Sequence, residues 1–133
     1  MLTMGLALSR SVPSLGWRRP QSDASVVGDM PTPTTDIIYS LPLNDLFLPN
    51  FSRKDAYALC KDTEDFRSLH DQTIARDLEL SPRFTGFDWE KRYIPIYIVR
   101  GCRTSISNPL ILKYSKNPRY MYVMLLHELV HIN

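Results

Sequence analysis

Residues 120–132 read YMYVMLLHELVHI, and this run governs both the fold and the position of the candidate site. It is apolar nearly all round, which predicts a helix with little solvent exposure. His127 and His131 are four residues apart, so on a helix they stand about 40° apart around the axis and one turn apart along it. Both imidazoles can then reach one ion, and Zn²⁺ accepts imidazole nitrogen in tetrahedral geometry.

Glu128 directly follows the first histidine. It projects about 100° away, so it borders the ion without having to coordinate it. That position suits a general base acting on a metal-bound water, whose pKa zinc lowers toward about 7. The pattern His-Glu-x-x-His on a helix is a signature of this chemistry. Two alternatives stay open, namely histidines that only bond to the backbone and a zinc site without catalysis.

Two segments before this helix are predicted to be strands. Residues 92–99, RYIPIYIV, are β-branched and aromatic, and Pro95 within them suggests an edge position or a bulge. Residues 105–114, SISNPLILKY, form the second predicted strand, and Pro109 excludes a fully paired central position.

A helical segment precedes the strands. Ser52 to Asp55 resembles a capping box, and it starts one helix over residues 52–80 or two helices joined near His70. Ser81-Pro82 is expected to end this segment, and His70 is expected at the surface. The prediction is therefore an α+β fold with an N-terminal helical segment, a small mixed sheet with an edge strand, and the motif helix.

The first 35 residues are rich in Ser, Thr, Pro and Gly and follow no period. They are predicted to be a disordered tail, with residues 36–133 forming the domain. This segment carries arginines and has no acidic residue before Asp23, which is compatible with a targeting peptide. A wrongly assigned start codon is the alternative explanation. Residues 36–51 are expected to pack as an extended arm, since Pro42 and Pro49 interrupt them.

Composition narrows the classes of function. A net charge of +2 with no Lys/Arg-rich run gives no indication of nucleic-acid binding. No stretch reaches the roughly 18–20 apolar residues that span a membrane. Two cysteines are too few for a disulfide scaffold, which favours reduced thiols and a cytoplasmic location. The oligomeric state cannot be read from these features.

From residue 85 to residue 133 the chain resembles the zincin metallopeptidases, in particular small gluzincin-like metalloproteases of microbes. The resemblance rests on LLHELVHI and on the strand order before it. It implies a partial zincin fold, a Zn²⁺ cofactor and a peptide or protein substrate. His127 and His131 match the two helical zinc ligands of the family, and Glu128 matches its general base.

The resemblance also implies that an extended substrate pairs with the edge strand beside the helix. Ser107, Asn108 and Leu110 are the candidate contacts in this chain. An ordinary edge strand that binds nothing is the alternative interpretation.

The third zinc ligand of the family lies downstream of the motif, at positions that fall beyond Asn133. The expectation is therefore an incomplete fragment of a zinc peptidase that holds zinc weakly by itself. Three alternatives remain: a catalytically inactive zincin-like fold, an interaction module that docks through helix 52–80, and a metal site completed by another protein copy or a neighbour.

Overall fold

The computed structural model describes residues 31–133, so most of the expected tail lies outside the described residues. The elements are β1 (Thr34–Ile38), α1 (Leu41–Phe47), α2 (Arg53–Asp62), α3 (Glu64–Thr85), β2 (Tyr93–Val99), β3 (Ile111–Lys113) and α4 (Pro118–Ile132). This arrangement confirms the α+β class. Thr34 and Thr35, the last residues expected in the tail, already belong to β1.

The sheet has the order β1-β2-β3, and both strand pairs are parallel, whereas a mixed sheet was expected. Parallel neighbours require a crossover connection. Helices α1, α2 and α3 supply it between β1 and β2, and residues 100–110 supply it between β2 and β3. Antiparallel pairing in the described chain is limited to one isolated bridge between Ile106 and Ile111.

Pro95 lies in β2, which is the central strand, so the expected edge position is wrong for the strand as a whole. The backbone N–H of Tyr97 donates to Leu110 O at 3.0 Å, so the odd-numbered residues of β2 face β3. Pairing with β3 begins only at Tyr97. Proline has no backbone N–H, but at position 95 that N–H would point to a side where no strand lies. The sheet therefore loses no hydrogen bond at Pro95.

The capping box at Ser52 and Asp55 is present, but the helical segment divides at Thr63 rather than near His70. Helix α3 also runs through Pro82 to Thr85 and ends at Gly86, whose φ of 78° is left-handed. Pro82 cannot donate to Leu78 O, and the indole N–H of Trp89 donates to that carbonyl at 2.8 Å instead. This replacement lets the helix continue past the proline.

Residues 36–51 are not an extended arm. After β1 the chain forms α1, in which Ser40 is the N-cap and Pro42 occupies the first turn. Asn44 of α1 is fully buried, its amide donates to Ile98 O at 3.1 Å, and its Oδ1 accepts from Arg100 N at 2.9 Å. These bonds attach α1 to the end of β2.

His70 is 5% exposed, so the predicted surface position is wrong. Its Nε2 lies 2.9 Å from Thr35 Oγ1 on β1, and its Nδ1 lies 2.9 Å from Asp71 Oδ1. The ring therefore joins α3 to the sheet. Both of its nitrogens have hydrogen-bond partners, which offset the loss of contact with water on burial.

One face of the sheet packs against α3 and α4 and forms the main core. Its buried members include Ile94, Ile96 and Ile98 of β2, Phe66, Ile74 and Leu78 of α3, and Met121, Leu125 and Leu129 of α4. A second cluster, Val99, Cys102 and Ile111, packs with Leu43 of α1. No helix in residues 31–133 is long and apolar enough to cross a membrane.

Candidate metal site on helix α4

Helix α4 begins where the sequence provides a cap. The side chain of Asn117 accepts hydrogen bonds from Arg119 N at 3.0 Å and Tyr120 N at 3.2 Å, and Pro118 occupies the first turn. Both features favour a helix start at this point. The prediction of a helix through the His-Glu-x-x-His motif is confirmed.

The expectation that α4 has little solvent exposure is wrong, because α3 and the sheet cover only one side of it. Met121, Leu125 and Leu129 are buried on that side. The residues with large exposed fractions on the open side are Tyr120 at 52%, Val123 at 61% and Val130 at 52%. His127 and His131 are exposed on the same side.

The two imidazoles are neighbours on this open side. Their Nε2 atoms lie 3.2 Å apart, and their rings meet edge to face with centroids 4.7 Å apart and an interplanar angle of 80°. At this distance one ring can donate a hydrogen bond to the other when its Nε2 carries the proton. The i, i+4 spacing therefore brings two nitrogen ligands together, as the sequence predicts.

This donor pair fits zinc. Two nitrogens held at the usual zinc distance and a tetrahedral angle are separated by about 3.3 Å, which is close to the 3.2 Å between the two Nε2 atoms. Within residues 31–133, however, no group of three or more His, Cys, Asp and Glu side chains could hold a metal. The described chain thus offers two imidazole nitrogens at a spacing that suits such an ion.

Glu128 stands beside the pair but on the covered side of the helix, with 6% of its surface exposed. It makes no hydrogen bond or ion pair with any other side chain of the described chain. Its carboxylate oxygens are not fully buried, so they keep contact with solvent and are free to take part in chemistry.

Two tethers fix the orientation of α4 against α3. The hydroxyl of Tyr122 donates to Asp77 Oδ2, and burial, followed by the nearby Asp77, raises the pKa of Tyr122 to about 12. Asn133 Nδ2 donates to Ser81 Oγ at 3.2 Å and Thr85 Oγ1 at 2.9 Å. Sequence reasoning missed both tethers, since nothing local pairs residues about 45 to 52 positions apart.

A cleft of about 740 Å³ lies at the C-terminal end of α4. Ile132 and Asn133 line one wall, and the segment from Phe87 to Arg92 contributes Trp89 and Glu90 to the other. Ile132 is one helical turn after Glu128, so both residues belong to the same face of the helix. The cleft lies beyond the end of the motif, and none of His127, Glu128 and His131 lines it.

The predicted strand over 105–114 is shorter than expected, since β3 comprises only Ile111–Lys113. Ser107 and Asn108 lie in the turn before it, and a cis peptide bond joins Asn108 to Pro109. Leu110 is 2% exposed, and its carbonyl accepts from Tyr97 N. Leu110 consequently offers no surface to a ligand.

The outer edge of β3 is occupied by the chain itself. Ile111 exchanges both backbone hydrogen bonds with Ile106, at 2.8 and 2.9 Å, and Lys113 N donates to Ser105 Oγ at 3.0 Å. β3 is an edge strand of the sheet, as expected. An extended peptide could pair with it only by displacing Ser105 and Ile106.

The chain matches no family model, no curated protein and no solved structure.

Proposed function

We propose that the protein is a zinc-dependent metallopeptidase, with His127 and His131 as two zinc ligands and Glu128 as the general base. The observation that carries this proposal is the pair of exposed Nε2 atoms 3.2 Å apart, with Glu128 between the two histidines on the same helix. Catalytic zinc sites use three protein ligands, so a third must come from outside residues 31–133.

When bound, zinc supplies a Lewis acid that polarises a carbonyl oxygen and acidifies a water molecule. The side chains of this chain have two tasks. His127 and His131 hold the ion as neutral imidazoles, which requires that each Nε2 be free of its proton. Glu128 accepts a proton from the attacking water and can return it to the leaving amine, the usual double task of a general base.

The place of Glu128 in the helix supports this assignment, because its carboxylate directly follows His127 and can border an ion held by the two imidazoles. A peptide that occupied the cleft beside Ile132 and Asn133 would lie beyond the end of the motif, because none of the three motif residues lines that cleft. A peptide in this cleft would not need the edge of β3, which Ser105 and Ile106 already cover.

A non-catalytic zinc protein of similar fold is the second candidate. The position of Glu128 on the covered side of α4, while both histidines lie on the open side, favours it, because a general base has to reach the metal-bound water. The two candidates share the same histidines and differ only in what Glu128 does. Substitution of Glu128 therefore separates them.

The test measures zinc and hydrolysis in the same samples. Untagged protein is loaded with Zn²⁺ and assayed at low concentration on fluorescently labelled casein, and its metal content is determined by mass spectrometry. E128Q is expected to lower hydrolysis at least ~100-fold while zinc stays bound, because the amide cannot accept the proton. H127A and H131A are each expected to lose both zinc and hydrolysis.

E79Q is the matched control, because Glu79 is an exposed carboxylate on α3. It should leave zinc content and hydrolysis unchanged. Full hydrolysis by E128Q would refute the general-base role. Zinc binding without hydrolysis by the unaltered protein as a monomer would instead support the non-catalytic candidate.

A further inference from the structure

We infer that zinc joins two copies of this chain through the open side of α4, with His127 and His131 of both copies binding one ion. This inference rests on the zinc-binding part of the proposed function and not on hydrolysis. Each copy offers two nitrogens at a separation that suits one zinc ion. Zinc in closed protein sites takes four ligands, and two copies supply four.

The surroundings of the two histidines favour a protein surface over water. Tyr120, Val123 and Val130 are 52%, 61% and 52% exposed on the same side of α4. With His127 they follow the spacing i, i+3, i+7 and i+10, which forms one continuous stripe on a helix. We call these residues, together with His131, the α4 stripe. A stripe of large apolar side chains is typical of a surface that is covered in an assembly.

The charge of the α4 stripe favours a second copy as the occupant. None of its members is acidic, lysine or arginine, and Glu128 is turned to the covered side of the helix with 6% exposure. Arg119 is exposed beside Tyr120 at the N-terminal end of the stripe, so two identical stripes meet without opposing like charges when the two helices run antiparallel about the twofold axis. A strongly basic or acidic partner would find no complementary charge on this stripe.

The size of the stripe makes the contact dependent on zinc. Stable interfaces bury roughly 1,200–2,000 Å² in total, and three half-exposed side chains from each copy fall well short of that area. The apolar contact therefore does not hold two copies together by itself. Metal binding supplies the remaining free energy, so removal of zinc should release monomers.

The shared ion would have no place for a substrate water. Catalytic zinc sites keep an open coordination position, whereas sites with four protein ligands are structural. The paired form is thus expected to be hydrolytically silent. A third ligand from elsewhere would compete with the second copy for the same ion, which couples assembly to activity.

Sedimentation velocity and metal analysis of the untagged protein test the inference. Stoichiometric addition of Zn²⁺ to the metal-free chain should double its mass, with one zinc for every two chains, and EDTA should reverse the change. H127A should remain monomeric. V130R keeps both imidazoles but opposes two arginines across the axis, so it should raise the dissociation constant of the dimer at least tenfold.

L46R is the matched control, because Leu46 is 77% exposed on α1 and lies outside the α4 stripe. It should pair like the unaltered chain. One zinc on each monomer would overturn the inference while leaving the zinc site intact. Pairing that persists in EDTA or in H127A would also overturn it, and a chain that binds no zinc would overturn both proposals.

Discussion

The phenol of Tyr122 on α4 donates a hydrogen bond to the carboxylate of Asp77 on α3. With the bonds from Asn133 to Ser81 and Thr85, it adds to the burial of Met121, Leu125 and Leu129, which sets the side of α4 that faces the core. The opposite side carries His127 and His131 to solvent. The candidate metal site therefore depends on a helix–helix contact that contains no metal ligand.

Loss of this hydrogen bond should destabilise the fold in a pH-dependent way. Y122F is expected to lower the free energy of unfolding by about 1.5–3 kcal/mol at pH 7, the usual range for a bond to a charged acceptor. The pKa of Tyr122 is raised from 10.0 to about 12 in the folded chain. A raised pKa stabilises the fold below the unfolded value and loses that effect as pH rises through the folded value.

The difference between Y122F and the unaltered protein should therefore be constant up to about pH 10 and shrink toward pH 12. Urea unfolding at several pH values measures it. Y57F is the control, since Tyr57 is 69% exposed and loss of its hydroxyl should change stability at pH 7 by less than about 0.5 kcal/mol. A difference that does not change with pH would contradict the assignment of the raised pKa to Tyr122.

Two substitutions on α4 should report which side of the helix is buried. L125A is expected to cost about 2–5 kcal/mol, because Leu125 is 0% exposed and its truncation leaves a cavity. V123A, two residues earlier and 61% exposed, should change stability by less than about 0.5 kcal/mol. Chemical denaturation of both variants provides the measurement, and similar losses would show that the open side is covered.

His70 and Thr35 should be energetically coupled, because the ring nitrogen and the hydroxyl lie 2.9 Å apart between α3 and β1. A double-mutant cycle with H70A and T35V is expected to give a coupling of about 0.5–1.5 kcal/mol. T34V serves as the comparison, since Thr34 is exposed and is not a partner of His70. Additive effects of H70A and T35V would mean that this bond contributes nothing to stability.

Zinc should stabilise the folded chain against heat. Zinc at about 100 times its dissociation constant is expected to add up to about 2.7 kcal/mol to the free energy of unfolding. H131A should abolish this gain, since one imidazole remains. Mg²⁺ should have no effect because it prefers oxygen ligands. Calorimetry with each ion checks the result, and an equal gain in H131A would show that zinc binds elsewhere.

The local features of the fold could be predicted from the sequence. Ser52 with Asp55 marks the start of α2, and the apolar run from Tyr120 predicts α4. The spacing of His127 and His131 predicts that their imidazoles meet. Each of these features depends on residues within about one or two helical turns, where backbone geometry alone sets the distances.

Other expectations failed because they depend on residues far apart in the chain. Pro95 indicated an edge strand, but the length and register of β3 make the same position acceptable in the central strand. His70 was expected at the surface, but β1 supplies Thr35 as its partner. The edge of β3 was expected to be open, but Ser105 and Ile106 fold back onto it.

By itself, the sequence determined that two imidazoles and one carboxylate lie within one turn of a helix, because helical geometry repeats every 3.6 residues whatever surrounds it. Only the tertiary structure decided that the imidazoles face solvent while Glu128 is nearly buried. That outcome depends on the side of α4 that α3 and the sheet cover. Such a contact between distant segments arises from packing and has no counterpart in local spacing.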